Sequence, residues 1–205
     1  QDHLHESGFK IGTRSRHEVF FNLFHPSAHN YNVLITGPSG QGKSVLANKI
    51  LLEEIKNKSK IMVLDLGNSF YKNIQYHGGT ILSEKFNPLE FKNPRYLKEF
   101  ILSFIEEGLS KKEEGRLFEA IEIIISSKVV NHFSDFLLEL EKGFEGISYY
   151  FKEAIPFFNT EKSVTSSLTY CDFSLYPESL KAPLIIYLIE YFKSLDGKKV
   201  FIFDE

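Results

Sequence analysis

Residues 37–44 have the types and spacing of a phosphate-binding loop. They match the pattern G-x-x-x-x-G-K-[ST], in which glycines let successive backbone N–H groups turn toward the phosphates of a nucleotide. The lysine brings a compact positive charge to the β- and γ-phosphates, and the serine offers its hydroxyl to Mg²⁺. We therefore predict that a nucleotide contacts nine consecutive residues: Gly37, Pro38, Ser39, Gly40, Gln41, Gly42, Lys43, Ser44 and Val45.

The sequence on both sides of this loop supports a nucleotide site. The apolar run at residues 31–36 predicts a buried strand that leads into the loop, and Leu46, Ile50 and Ile55 recur afterwards at helical spacing. Strand, loop and helix in this order are the context that the motif requires. The alternative is a glycine-rich turn with a solvated lysine, and this context disfavours it.

Two acidic residues follow a second apolar run. Residues 200–203 predict a buried strand, and Asp204 and Glu205 stand at its carboxyl end, where open α/β sheets hold their ligands. We predict that Asp204 orients Mg²⁺ through a water molecule and that Glu205 polarises the attacking water as the catalytic base, with Lys43 as its catalytic partner. An ordinary solvated strand end is the alternative. Together with the loop, the acids predict an ATPase that uses ATP as substrate and Mg²⁺ as cofactor.

A further acid, Asp65, is a secondary candidate. It ends another predicted strand, residues 61–65, and is followed by the turn Leu66-Gly67-Asn68-Ser69. Its carboxylate either holds a water molecule of the Mg²⁺ shell and reports the nucleotide state, or caps the turn. The sequence leaves both alternatives open.

Composition predicts a soluble intracellular protein. The chain has 205 residues and a net charge of −3, which gives no global attraction to nucleic acid or to anionic lipid. Its longest apolar stretch falls short of the ~18 residues that a membrane span needs. Its single cysteine, Cys171, is predicted to pack in the core. An Asn-Lys-x-Asp guanine-reading element is absent, which disfavours a GTPase.

Hydrophobic periodicity divides the chain into three regions. We predict an α/β fold with a central, mostly parallel sheet: residues 8–93 form its first part with an N-terminal hairpin, and residues 159–205 form its second part. Residues 94–158 carry four amphipathic helical stripes and predict an inserted all-helical subdomain. Because the chain begins without Met and stops at Glu205, we expect a segment of a longer protein whose sheet is incomplete at the C-terminus.

Several motifs in this order resemble one family of ATPases. Residues 30–44 resemble the nucleotide-binding segment of the TraC-type ATPases of conjugative and VirB-class type IV secretion systems. Residues 64–70 resemble that family's Asp-x-Gly-x-Ser-Tyr turn, with Phe70 in place of the tyrosine. The Gly-Gly and Asn-Pro elements follow at residues 77–80 and 86–89, and the helical insertion and the terminal acids lie where the family has them.

The resemblance implies a RecA-like motor domain that hydrolyses ATP. It also implies a homo-hexamer that docks with secretion-channel components at the cytoplasmic face of the inner membrane. None of the four arginines stands in a motif of that family, so we expect its arginine and sensing elements beyond Glu205 and little or no hydrolysis by these residues alone. Two alternatives remain, an FtsK/HerA-like DNA translocase and a nucleotide-binding scaffold without turnover. The four arginines are Arg14, Arg16, Arg95 and Arg116.

Overall fold

The structure is a computed structural model that describes residues 8–12, 18–82, 84–127, 130–161 and 166–204. Strands and helices alternate along most of this length, with a helical stretch in the middle. The strands are β1 (Phe9–Gly12), β2 (Glu18–Phe21), β3 (Lys60–Asp65), β4 (Thr80–Ile81), β5 (Leu168–Asp172) and β6 (Lys199–Asp204). The α-helices are α1 (Lys43–Lys56), α2 (Tyr71–Tyr76), α3 (Pro94–Leu102), α4 (Lys111–Ser127), α5 (Phe133–Glu141) and α6 (Glu178–Ser194).

Four strands form a parallel sheet in the order β4-β5-β3-β6. The strand β3 is a continuous apolar run, as expected for a parallel strand that is covered on both faces. Its register places three aspartates side by side at the carboxyl edge of the sheet, because Asp65 pairs with Asp172 on one side and with Asp204 on the other. The predicted α/β fold with a parallel sheet is confirmed.

Helices cover both faces of this sheet. Side chains alternate along β3, so that Ile61 and Val63 pack with α1 and α2, whereas Met62 and Leu64 pack with α3 to α6. The helices of residues 94–158 thus share one apolar cluster with α6. The division of the chain into three segments stays a prediction. Within the described ranges, no helix has the length and apolarity to cross a bilayer.

The N-terminal hairpin is present as predicted, with β1 antiparallel to β2. We also predicted a strand at residues 31–36, and this prediction was wrong. These residues form no strand: Leu34 is 87% exposed, and a cleft of about 430 Å³ separates the segment from the edge of β6. A strand needs a neighbour about 4.8 Å away to pair with, and apolar residues alone do not supply one.

Local signals fixed the starts of two helices. Asn93 accepts hydrogen bonds from the backbone N–H groups of Arg95 and Tyr96 at the start of α3. Before α4, Ser110 and Glu113 form the predicted capping box, since the Glu113 carboxylate accepts a bond from Ser110 N at 2.9 Å.

The fourth amphipathic stripe does not form an α-helix, contrary to our expectation. It forms two short 3₁₀ helices, Ile147–Phe151 and Ile155–Phe157; Ile147, Phe151 and Ala154 are buried as predicted, whereas Tyr150 is exposed. Gly146, with a left-handed φ of 81°, precedes the first of them, and Pro156 interrupts any α-helix that would continue. These two residues disfavour one continuous α-helix through the whole stretch.

Candidate nucleotide-binding site

The phosphate-binding loop turns at two glycines. Gly40 and Gly42 have φ angles of 76° and 85°, in the left-handed region where any side chain would be strained. Gln41, which lies between these two glycines, donates its backbone N–H to Pro38 O at 3.4 Å and closes a tight turn. Residues 38–42 are exposed, so the loop presents its backbone to solvent.

The helix α1 begins directly after this turn and leaves its first amides available. Its first helical hydrogen bond runs from Leu46 N to Gly42 O at 2.9 Å, so the N–H groups of residues 43–45 precede the helical ladder. No side chain caps this end, and its first turn contains no acidic residue. Uncapped amides and the positive end of the helix dipole together favour an anion here. These amides include that of Val45, whose side chain is exposed.

Lys43 reaches back across the loop. Its Nζ donates to Gly37 O at 2.8 Å and to Pro38 O at 3.3 Å, so the ammonium group lies against the loop that carries the predicted phosphate contacts. A phosphate in the loop would offer stronger, charged acceptors to the same Nζ than these two carbonyls do. The Lys43 ammonium group thus lies beside the loop backbone, and its contact with phosphate stays a prediction.

Ser44 and Asp204 come together at the carboxyl end of β6. The Ser44 hydroxyl donates to Asp204 Oδ2 at 3.2 Å, and both side chains are half-buried. A hydroxyl and a carboxylate are hard oxygen ligands of the kind that Mg²⁺ prefers. Within the described ranges, no group of three His, Cys, Asp or Glu residues could hold a metal ion. This site would therefore supply few protein ligands and leave the others to water and phosphate oxygens, which is typical of Mg²⁺.

The Asp65 carboxylate is buried and engaged in the turn that follows β3. Its Oδ1 accepts from Gly67 N at 2.8 Å, and its Oδ2 accepts from Phe70 N at 3.1 Å and from the Tyr170 hydroxyl at 3.3 Å. Burial, followed by the charge of Asp65, raises the pKa of Tyr170, so the phenol stays a donor. Of the two alternatives left open for Asp65, this geometry favours the capping of the turn.

Glu205 lies outside the described residues, so its predicted role as catalytic base stays a prediction. Sequence reasoning also missed a residue next to the loop. Asn48 donates to the carbonyl of Ser44 at 2.9 Å and to that of Ser69 at 3.1 Å. The available signal was its position four residues after Ser44, because residues so spaced share one face of a helix.

Comparisons with known proteins agree with this geometry. The family model of the TraG P-loop domain matches residues 20–160. Among solved structures, VirB4 of Thermoanaerobacter pseudethanolicus has a similar fold, with a TM-score of 0.70, 16% identity, and coverage of 97% of this chain and 68% of that chain. No curated protein sequence matches the chain significantly. The resemblance predicted from the ordered motifs is confirmed at the level of the family. With more than half of its residues matched by that family model, the chain belongs to the TraG P-loop domain family.

Proposed function

We propose that this chain is the ATP-binding and ATP-hydrolysing motor domain of a conjugative or type IV secretion ATPase. The observation that carries the proposal is the 3.2 Å contact between Ser44 Oγ and Asp204 Oδ2, which joins the phosphate-binding loop to the end of a parallel strand. Ligands of open α/β sheets bind at this edge. Membership of the TraG P-loop domain family supports the assignment to conjugation and secretion.

In this proposal each residue of the loop has a defined task. The amides at residues 40–45 hold the phosphates, and Lys43 moves its ammonium group from two backbone carbonyls to the phosphate oxygens. Ser44 and Asp204 would hold Mg²⁺, with Asp204 acting through a water molecule; the bound ion neutralises charge on the phosphate oxygens. Glu205 would accept the proton of the attacking water as general base.

The wider assignment rests on the family and not on a contact in the structure. We propose a homo-hexamer in which a neighbouring subunit supplies the positive charge that the γ-phosphate needs in the transition state. In the same proposal, the ring docks on secretion-channel components at the cytoplasmic face of the inner membrane. ATP is the nucleotide proposed, with Mg²⁺ as its ion.

Nucleotide titration tests the site itself. We expect Lys43→Ala to weaken the binding of an ATP analogue about a hundredfold, since a charge-assisted hydrogen bond to phosphate is lost. Lys49→Ala is the matched control, because Lys49 is exposed on the same helix, away from the loop. Equal affinities of the Lys43→Ala and Lys49→Ala proteins for the ATP analogue would contradict the assignment of this loop as the phosphate-binding site.

Hydrolysis by the full-length protein tests the motor. We expect Glu205→Gln to abolish turnover and biological function while nucleotide binding persists. Unchanged function with this substitution would favour the scaffold alternative. Strong stimulation of hydrolysis by duplex DNA would favour the DNA translocase instead, so the two measurements separate the three functions.

A further inference from the structure

The turn between β3 and α2 contacts Asp204 directly, and it contacts α1 through Asn48, which lies one helical turn after Ser44. We call residues 66–70 the β3 turn. Leu66 N donates to the backbone carbonyl of Asp204 at 3.2 Å, which fixes the main chain that carries the carboxylate. The carbonyl of Ser69 accepts a hydrogen bond from Asn48, one helical turn after Ser44 on α1. The β3 turn is therefore the common support of the two halves of the metal site.

All polar atoms of the Asn48 side chain are engaged at this junction. Nδ2 donates to Ser44 O at 2.9 Å and to Ser69 O at 3.1 Å, and Oδ1 accepts from Asn73 Nδ2 at 2.6 Å. The two partners of the nitrogen are carbonyls, which accept only, and the oxygen faces a donor. The orientation of the amide is thereby fixed by its neighbours. One carboxamide joins α1, the β3 turn and α2.

The β3 turn is itself held in one shape. Asp65 accepts hydrogen bonds from two backbone N–H groups of the turn, and the single hydroxyl hydrogen of Tyr170, on β5, is shared between Asp65 and Asn68. Asn68 adopts a left-handed φ of 57° within the turn. Because the turn is anchored to the three strands β3, β5 and β6, it is a fixed reference against which α1 can be aligned.

From this geometry we infer that Asn48 is a positioning residue for the metal site, which holds the first turn of α1 against the β3 turn and so sets the Ser44 hydroxyl relative to Asp204. The inference rests on the proposed function. Mg²⁺ demands near-ideal octahedral geometry at short distances, so a small shift of Ser44 weakens its binding. Phosphate contacts from backbone amides and from the flexible Lys43 side chain tolerate such a shift better.

The test compares nucleotide affinity with and without the ion. Calorimetric titration of the full-length protein with the non-hydrolysable analogue AMP-PNP is run once in Mg²⁺ and once in EDTA. We expect Asn48→Ala to weaken binding roughly tenfold in Mg²⁺, the loss typical of one or two hydrogen bonds, and by less than about twofold in EDTA. Lys49→Ala, next to it on the exposed side of α1, should behave as wild type in both.

A second variant keeps the test valid if Asn48→Ala does not fold. Asn73→Ala removes only the donor to Asn48 Oδ1, so we expect a smaller loss of affinity, again confined to Mg²⁺. Because Asn73 acts through Asn48, the double variant should bind no more weakly than Asn48→Ala alone. Equal losses in Mg²⁺ and in EDTA, or no loss in Mg²⁺, overturn the inference. Failure of the wild type to bind AMP-PNP would overturn the proposed function instead.

Discussion

The Ser44 hydroxyl donates a hydrogen bond to the Asp204 carboxylate at 3.2 Å, across 160 positions of the chain. Asp204 ends a row of three aspartates that the parallel register places side by side, with Asp65 in the middle and Asp172 at the far end. Asp65 caps the β3 turn, and Asp172 caps a 3₁₀ helix by accepting from Ser174 N at 2.9 Å. Of the three carboxylates in this row, the one of Asp204 contacts the phosphate-binding loop.

Substitution of the end members of this row separates ligand binding from local capping. We expect Asp204→Asn to weaken AMP-PNP binding in Mg²⁺ on the order of tenfold or more, because a charged partner of the ion is removed. Asp172→Asn is the matched control; it keeps an acceptor oxygen for Ser174 N and should leave the affinity unchanged. Calorimetry in Mg²⁺ measures both. Equal effects of the two substitutions would contradict a specific role of Asp204.

Asp65 should matter for stability more than its partner Tyr170. Asp65→Asn keeps one acceptor oxygen and places an NH2 group against the N–H of either Gly67 or Phe70, and the buried donor left unsatisfied costs about 1–3 kcal/mol of unfolding free energy. Tyr170→Phe removes one hydroxyl and leaves the carboxylate with its two backbone donors, so we expect about 1 kcal/mol. Urea unfolding at neutral pH compares the two. A larger loss for Tyr170→Phe would show that the backbone bonds of Asp65 contribute little.

Those parts of the fold that depend on neighbours in sequence were predictable. The phosphate-binding loop consists of consecutive residues, and the Ser110–Glu113 capping box spans a single helical turn. The strands β3 and β6 contain continuous apolar runs, and the common direction of β3, β5 and β6 follows from the alternation with helices. Ser44 and Asp204 were each predicted to hold Mg²⁺, one from the loop motif and the other from its position at a strand end, and their side chains lie 3.2 Å apart.

The features that sequence reasoning missed depend on contacts between distant residues. Residues 31–36 have the composition of a buried strand, but pairing requires a neighbour within reach, and the cleft beside β6 separates them from it. The partners of Asn48 on the β3 turn and on α2 lie 21 and 25 positions away. A helical pattern predicts which face carries Asn48, but it does not predict which loop that face contacts.

Two glycine substitutions contrast a crowded position between α2 and β5 with an open position on α4. A Cβ at Gly79 would lie 2.6 Å from Ile74 Cγ2 and 2.9 Å from the carbonyl of Leu168, so Gly79→Ala should destabilise the fold by about 1–3 kcal/mol. A Cβ at Gly115, which is exposed on α4, meets nothing within 4 Å. Gly115→Ala should therefore stabilise the fold by roughly 0.5–1 kcal/mol through helix propensity. The urea midpoint should fall for Gly79→Ala and rise for Gly115→Ala. A shift of both midpoints in the same direction would contradict the crowding at Gly79 or the open space at Gly115.

The last prediction concerns Cys171 and alkaline pH. Burial, followed by the charge of Asp172, raises the pKa of its thiol from 9.0 to about 12, although a hydrogen bond with Tyr176 acts in the opposite direction. The folded chain thus keeps a proton that the unfolded chain loses near pH 9. The contribution of this thiol to stability is fully present below that pH and is lost as the pH rises toward 12, at about 1.4 kcal/mol per pH unit.

Cys171→Ser removes this titration and keeps a side chain of similar size. Between pH 9 and 10 we expect the free energy of unfolding to fall less steeply with pH in this variant than in the wild type. The difference between the two slopes corresponds to about one bound proton. The comparison stays below pH 10 because raised pKa values of Tyr170 and Tyr176 act in the same direction above it. Urea unfolding at half-unit steps of pH measures both slopes. Since the buried thiol stays protonated in the folded chain, a thiol reagent at pH 8 should label Cys171 only after unfolding, and rapid labelling of the native protein would contradict its burial.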